Sequence, residues 1–377
     1  MTRAMILSAA LVCAAATARA QGTLSSQGYG YPAGPFSTRS LTLGGSIGEI
    51  DPISTLNPAA LTTWGPSGFY GQFGPEWRSV QAGGTTDQST VIRFPLFAGA
   101  LHAGPDWVFG LSFSNLLDRT WATQNYGYYH LAGGDSVAYT QNFASQGAIT
   151  NVRLAAGWRL SNSLRIGLGG HFITGQTSLT ILELFADTGY ASFQQVTVVN
   201  ASGTAVSAGV EWSPIPPLAF ALSGQYGGTL HARRNDTLVA DARVPSRAGA
   251  SLVFAGITGV TLAADAEYMQ WSNMNGLAQS AIKAVDSWDY GLGGEIRVAS
   301  MGGADVPLRV GIRHRTLPLQ AETQTVTENA FSAGVGLPVA RGRGRFDLGL
   351  IRMWRSAPTL DAKEHAWSLS VGVLVRP

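Results

Sequence analysis

Residues 288–298 read WDYGLGGEIRV. Trp288, Tyr290, Leu292, Ile296 and Val298 share one parity, and Asp289, Gly291, Gly293, Glu295 and Arg297 share the other. Side chains of a strand alternate between its faces, so this stretch has one apolar face and one small, polar and charged face. The same alternation returns through most of the chain. Leu164, Ile166, Leu168 and Phe172 oppose Arg165, Gly167, Gly169 and His171; Val152, Leu154, Ala156 and Trp158 oppose Arg153, Gly157 and Arg159. Near the end, Trp367, Leu369, Val371, Val373 and Val375 oppose Ser368, Ser370, Gly372 and Arg376.

The pattern predicts strands at Phe69–Val80, Thr90–Leu101, Trp107–Leu116, Ala144–Leu160, Leu164–Thr174, Thr204–Trp212 and Leu218–Gly227. It continues with Val244–Ile257, Val260–Trp271, Ser287–Ala299, Pro307–Arg315, Asn329–Val339, Arg345–Arg355 and Ala366–Arg376. Fourteen is an even number, as a single-chain bacterial membrane barrel requires. The joins alternate. Ser161 to Ser163, Ser213 to Pro217, Gly256 to Gly259 and Ala340 to Gly344 are short. Leu117 to Phe143, Gly175 to Gly203, Gly228 to Arg243, Ser272 to Asp286 and Thr316 to Glu328 are long. Short periplasmic turns and long extracellular loops are the habit of outer-membrane barrels, and Ala299 to Val306 is the one overlong periplasmic turn. Trp107, Trp158, Trp212, Trp271 and Trp354 near strand ends fit interfacial girdles.

Composition agrees. Charged residues are 13% of the chain, against roughly 25% in soluble proteins. No mature stretch is a continuous apolar run of helix-spanning length, so apolar residues are dispersed as a barrel disperses them. A soluble β-sandwich or propeller would carry shorter strands and more surface charge. Arg3, the apolar run Ala4 to Ala16 and the small-x-small site Ala18-Arg19-Ala20 read as a cleaved secretion signal over residues 1–20. Cys13, the chain's single cysteine, falls within it, which leaves the mature chain without disulfides or thiolate chemistry. The expected organisation is therefore a signal at 1–20, a Gly-, Pro- and Ser-rich segment at 21–67, and a transmembrane barrel at 68–377 in a bacterial outer membrane.

Thr38 to Leu61 reads TRSLTLGGSIGEIDPISTLNPAAL. With its glycines Gly44, Gly45 and Gly48, its Asp51, and Asn57-Pro58-Ala59 followed by Leu61, it resembles the N-terminal region of the FadL family. Those proteins are outer-membrane transporters of long-chain fatty acids and other hydrophobic compounds. Pro245, Gly249 and Trp271-Ser272 resemble a second family pattern, and Pro307-Leu308-Arg309-Val310-Gly311 a third. The resemblance implies an all-β, 14-stranded antiparallel transmembrane barrel with an N-terminal lumenal hatch. It also implies passive movement of hydrophobic molecules through the lumen, with sideways exit beside a kinked strand. Asp51, Asn57, Pro58, Ala59 and Leu61 are the candidate substrate or hatch residues. Pro58 fixes its own φ and confines Asn57, whose amide readily caps a turn, so a purely structural latch is at least as good a reading as ligand contact.

The lumen face is expected to carry Arg153, Arg159, Arg165, Glu211, Asp265, Glu267, Asp289, Glu295, Arg297, Arg309, Arg313 and Asp347. Mixed signs on neighbouring strands favour cross-barrel ion pairs, although any one arginine suits a carboxylate head group. Pro95 marks an edge or bulge in the second strand. The six histidines, His102, His130, His171, His231, His314 and His365, lack metal-ligand spacing, and no Gly-x-Ser-x-Gly is present. No enzyme activity, cofactor or metal is expected. The expected partners are a hydrophobic small molecule and outer-membrane lipid and lipopolysaccharide, with no nucleic acid, for a monomer. The alternatives are a general porin for small polar solutes, and a barrel of this type serving as a shuttle or assembly component in protein secretion, with a protein partner.

Overall fold

A computed structural model describes residues 24–26, 29–82, 84–131, 134–277, 282–301, 304–321, 325–339, 343–357 and 362–376. The secretion signal expected at 1–20, with Cys13, lies outside the described residues. Strands β1 (Gly68–Ala82), β2 (Thr85–Arg93), β3 (Leu96–Ala103), β4 (Trp107–Asp118) and β5 (Trp121–His130) open the wall. The long strands β6 (Ser136–Arg159), β7 (Leu164–Phe185), β8 (Phe193–Ile215) and β9 (Leu218–Arg234) follow. Then come β10 (Thr237–Arg243), β11 (Ser246–Ile257), β12 (Val260–Gln270), β13 (Ile282–Ala284), β14 (Ser287–Met301) and β15 (Ala304–Thr316). The chain ends with β16 (Leu319–Ala321), β17 (Thr327–Val339), β18 (Gly344–Ser356) and β19 (Ala362–Val375).

These segments make fourteen antiparallel staves, because β2 with β3, β4 with β5, and β10 with β11 each form one interrupted stave. β13 and β16 pair apart from the wall. The barrel closes where β1 pairs with β19, from Phe69 opposite Val375 to Ala82 opposite Ala362. Closure is what lipid demands, since an unpaired sheet edge in hydrocarbon costs several kcal/mol per group.

Every expected strand exists, and the alternation sets the facing. Phe69, Leu101, Leu154, Leu168, Phe172, Leu292 and Ile312 point outward and exposed. Arg153, His171, Ser207, Glu211, Arg309 and Asp347 are buried inside. Trp107, Trp158, Trp212 and Trp354 lie on the outside as expected, and Trp107 stacks on Trp158 at 5.1 Å. Trp271 does not. It is buried in an apolar layer with Met274, Leu230, Val244 and Leu319.

The expected long loops are largely strand. β6 has 24 residues and β7 has 22, where about 9–11 suffice to span a bilayer. At about 3.4 Å per residue β6 runs about 80 Å, well beyond the thickness of a bilayer. β9 turns into β10 through Asn235 and Asp236, both at positive φ, a two-residue hairpin turn. The overlong join at 299–306 is also a hairpin, paired out to Met301 opposite Ala304 after a bulge between Arg297 and Ala299.

Candidate functional site

The described part of the N-terminal segment contacts lumen-facing groups of the wall. A one-turn helix, α1 (Thr38–Thr42), is capped by the Ser37 hydroxyl, which accepts from Ser40 N. Asp51 holds the segment together: its Oδ2 accepts from Ser37 Oγ (2.5 Å), Ser54 Oγ (2.7 Å) and Ser54 N (3.1 Å). Asn57 caps the 3-10 turn Pro58–Thr63 through Oδ1, which accepts from Ala59 N at 2.9 Å. Its Nδ2 donates to Glu49 O within the segment and to Val210 O on β8. Ala59 and Leu61 are buried, and Leu61 packs with Ile53, Trp64, Tyr70, Leu96 and Val108. The structure thus brings four of the five expected residues, Asn57, Pro58, Ala59 and Leu61, into one seam of contact with the wall, while Asp51 braces the segment internally through Ser37 and Ser54.

Glycines on the wall explain how backbone can lie so close to it. A Cβ at Gly167 would stand 2.4 Å from Ala59 N, and one at Gly209 would meet the Asn57 amide. Gly110 and Gly157 face Leu61 and Pro58 in the same bay. Opposite, Gly291, Gly293 and Gly311 receive Leu43 to Ser46, and a Cβ at Gly311 would lie 2.2 Å from Gly44 N. Gly44 itself sits at φ +67, a conformation other residues rarely adopt.

Charge completes the contact. Glu49 pairs with Arg247 and accepts from Ser223 Oγ at 2.6 Å, and Arg39 forms a two-point pair with Glu295. Tyr31 stands among Arg78, Arg93, Arg315 and Arg355, each guanidinium carbon 4.8–5.5 Å from its ring centre. Its hydroxyl accepts from Arg315 and Arg355 and donates to Glu328. Glu76, Glu328, Glu364 and Asp118 balance these four arginines through close pairs, among them Arg93 with Glu76 and Asp118 at 2.5 Å each. Such a cluster is self-neutralising, which is the condition for keeping charge away from water. The sequence places Arg165, Glu211, Asp289, Glu295, Arg309, Arg313 and Asp347 on the lumen face and leads one to expect ion pairs there without assigning them; the structure pairs Arg309 with Glu295 and Asp347, Arg313 with Asp289, and Arg165 with Glu211. Sequence reasoning missed Tyr31, Arg39, Glu49 and the Arg355 cluster, whose partners are far apart in the chain.

One stretch of wall lacks its ladder. β3 pairs with β4 from Leu96 opposite Ser114 to Ala103 opposite Trp107. Beyond Pro95 the second stave shifts register by one against β1 and continues as β2. The third stave shifts between Asn115 and Leu117, breaks at Arg119 and Thr120, and continues as β5, paired only to β6. Among the described residues no backbone ladder joins β2 to β5. Asn115 N donating to Pro95 O (3.1 Å) is the last backbone link, and Arg93 with Asp118 bridges above it. A cleft of about 420 Å³ there is lined by Val80, Thr86, Ala122, Gln124 and Phe143. Pro95 is therefore the break expected from the sequence, and the matching break in the third stave arises without a proline. Below it, on the outer face, Phe97, Leu101, Phe109, Leu111, Leu154 and Leu168 line an apolar groove of about 1060 Å³. Two lumenal cavities, of about 60 and 80 Å³, lie between the N-terminal segment and the wall. Among the described residues no group of three His, Cys, Asp or Glu is placed to hold a metal ion.

The chain has the fold of FadL-like outer-membrane transporters. It is similar to a Pseudomonas aeruginosa FadL homologue, with a TM-score of 0.60 at 11% identity over 92% of this chain and 99% of that one. It is similar to the Pseudomonas putida toluene transporter TodX, with a TM-score of 0.58 at 14% identity over 92% and 99%. It is also similar to the monoaromatic hydrocarbon channel CymD, with a TM-score of 0.56 at 13% identity over 91% and 97%. No protein-family model matches the chain, and no curated protein matches its sequence.

Proposed function

We propose that this protein is an outer-membrane channel through which hydrophobic molecules diffuse passively, without catalysis. Residues 21–67 act as a hatch in the lumen, and the substrate leaves sideways between β2 and β5. Residues 1–20 are the secretion signal. The barrel works as a monomer, with its outward face against lipid and lipopolysaccharide.

The observation that supports this reading most is the interrupted ladder beside an apolar outer groove. A polar solute gains nothing from a gap that opens toward hydrocarbon, whereas an apolar one partitions through it at about 25 cal/mol per Å² buried. The solved neighbours described as a toluene transporter and a monoaromatic hydrocarbon channel point to the same class of cargo. Long-chain fatty acids are the first substrates to try. Asn57, Pro58, Ala59, Leu61 and Asp51 serve as the latch of the hatch.

The test is uptake of labelled fatty acid, with toluene in parallel, by cells lacking their own transporter. The intact protein is compared with an Asn57→Ala, Pro58→Ala variant at equal surface level. Saturable uptake that the variant alters supports a gated hydrophobic channel. A well-inserted intact protein that moves neither compound refutes it.

A further inference from the structure

The two faces of the wall treat charge differently around the closure of the barrel. Inside, Arg78, Arg315 and Arg355 are matched by Glu76, Glu328 and Glu364. Outside, Arg352 of β18 stands opposite Trp367 of β19, Trp354 opposite His365, and Ser356 opposite Lys363. The flanking outward positions on β17, β1 and β2 are apolar, aromatic or neutral polar, among them Asn329, Ser79 and Gln81. None is a carboxylate. Glu76, Asp87, Glu328 and Glu364 share the opposite, inward parity. Among the described residues neither Arg352 nor Lys363 forms an ion pair, and His365 Nδ1 has no hydrogen-bond partner.

Height on the wall gives this patch its meaning. Trp107, Trp158 and Trp212 sit beside the short turns at one end, whereas Trp77, Trp288, Trp354 and Trp367 sit toward the other. Two such belts mark the two headgroup levels of a membrane. Arg352 is level with the second belt, and Lys363 lies two outward rungs beyond it. Phe331 beside Arg352 and Leu350 below it are exposed to hydrocarbon. A cation facing lipid is costly at depth and tolerable where headgroups supply an anion.

The side chains also define the chemistry of that anion. The Arg352 guanidinium carbon lies 5.6 Å from the Trp354 ring centre and 5.0 Å from that of Trp367. Stacking engages the faces of a guanidinium and leaves its N–H edge for an acceptor. A phosphate accepts from such an edge at two points and from an ammonium at a third. The upper rung, with Ser356, Thr327 and Gln81 around Lys363, offers neutral donors and acceptors that suit sugar hydroxyls.

We infer that Arg352, Lys363 and His365 form a docking site on the outer surface for a phosphorylated glycolipid, the lipid A part of lipopolysaccharide. Its phosphate meets the cations, its sugar the neutral rim, and an acyl chain lies along Phe331 and Leu350. The inference rests on the outer-membrane reading and deepens it: the wall takes this lipid in preference to others at one place, astride the pairing of β19 with β1.

The test is native mass spectrometry of the full-length protein in detergent, titrated with diphosphorylated lipid A, lipid A stripped of both phosphates, phosphatidylglycerol and inorganic phosphate. Lipid A is expected to bind about tenfold or more tightly than either the stripped form or phosphatidylglycerol. The R352Q/K363Q double variant is expected to lose that preference, with binding of the stripped form unchanged. R352K keeps most of it, and each single glutamine variant loses a few-fold. K283Q, which removes an exposed cation elsewhere, should change nothing. Mobility on unheated gels shows that each variant is a folded barrel; should the double variant fail there, the two single variants carry the test. A preference that survives removal of both charges would overturn the site. Phosphatidylglycerol binding as tightly as lipid A would overturn the glycolipid assignment, and displacement of lipid A by equimolar inorganic phosphate would reduce the site to one for a free ion. An equal loss in K283Q would show bulk attraction instead of a site. Cargo uptake is read separately: a barrel that binds lipid A here but moves no hydrophobic cargo keeps this site and loses the channel, and one that moves cargo without a lipid A preference does the reverse.

Discussion

Tyr31 and Asp118 form an isolated antiparallel bridge. Tyr31 N donates to Asp118 O at 2.7 Å, and Asp118 N donates to Tyr31 O at 2.8 Å. This joins the N-terminal segment to the third stave at the point where that stave leaves its partner. The Asp118 carboxylate meanwhile holds Arg93 of the second stave. Segment and seam therefore share one residue, and whatever displaces Tyr31 releases a tie on the seam. Tyr31→Phe keeps the bridge and the ring but removes the hydroxyl between Arg315, Arg355 and Glu328. It should cost about 1–3 kcal/mol in chemical unfolding. Tyr31→Ala should also raise open-channel noise in planar bilayers, and a record as quiet as the wild type's would separate segment from seam.

The glycine bays give a sharper experiment. Gly167→Val and Gly311→Val place side-chain atoms where the segment's backbone now runs. Each barrel should still insert, because both positions face inward, yet ion conductance should rise well above that of the intact protein. Gly170→Ala is the matched control, since a Cβ there meets nothing within 4 Å and conductance should not change. Deleting Gln21 to Thr63 should give the upper limit of conductance in the same assay.

Asn57→Ala removes the cap on Ala59 N and the ties to Glu49 O and Val210 O together. The loss should be about 1–3 kcal/mol, concentrated in the segment rather than in the wall. Hydrogen exchange reads this directly: amides around Ala59 should exchange faster, while those of β7 and β8 hold. Uniform acceleration across the barrel would contradict the local role.

Arg93 spans the seam between Glu76 and Asp118. Arg93→Met leaves both carboxylates short of a partner, at an expected cost of about 3–5 kcal/mol. It should also widen the cleft. With Cys13 replaced by Ser, the chain has no cysteine, so a thiol introduced at Ala122 or Gln124 reports on access. Faster labelling by a bulky maleimide in the Arg93→Met background is the expected result, and an unchanged rate would show that other contacts hold the staves together.

The wall was legible because lipid imposes a period on sequence. Where Leu154, Leu168 and Leu292 meet hydrocarbon and their neighbours do not, alternation reports the face directly. The stretches Ser136 to Phe143 of β6 and Gly175 to Phe185 of β7 were not legible as strand for the converse reason. From Gly175 to Ser178 both faces are wet or polar, so nothing in the sequence alternates, and the run reads as loop. Trp271 shows another limit: an aromatic at a strand end has the same signature in a girdle as in an inward layer, and only packing against Met274 and Leu319 separates the two. In the candidate site, the turn at Asn57-Pro58 could be read from the chemistry of its two residues. The pairs Glu49 with Arg247 and Tyr31 with Arg355 could not, because the partners lie far apart in the chain and only packing of the N-terminal segment against the wall brings them together.

The meeting of the first and last strands carries a consequence for the order of construction. Thr38 Oγ1 lies 2.8 Å from Ser370 Oγ of β19, while Ser25 N donates to Glu364 of the same strand. The N-terminal segment is synthesised first, and the strand it leans on comes last. Until β19 is in place, neither of these contacts can form. Docking of the segment against this part of the wall therefore belongs to the last step of assembly, whatever the order in which the other strands come together.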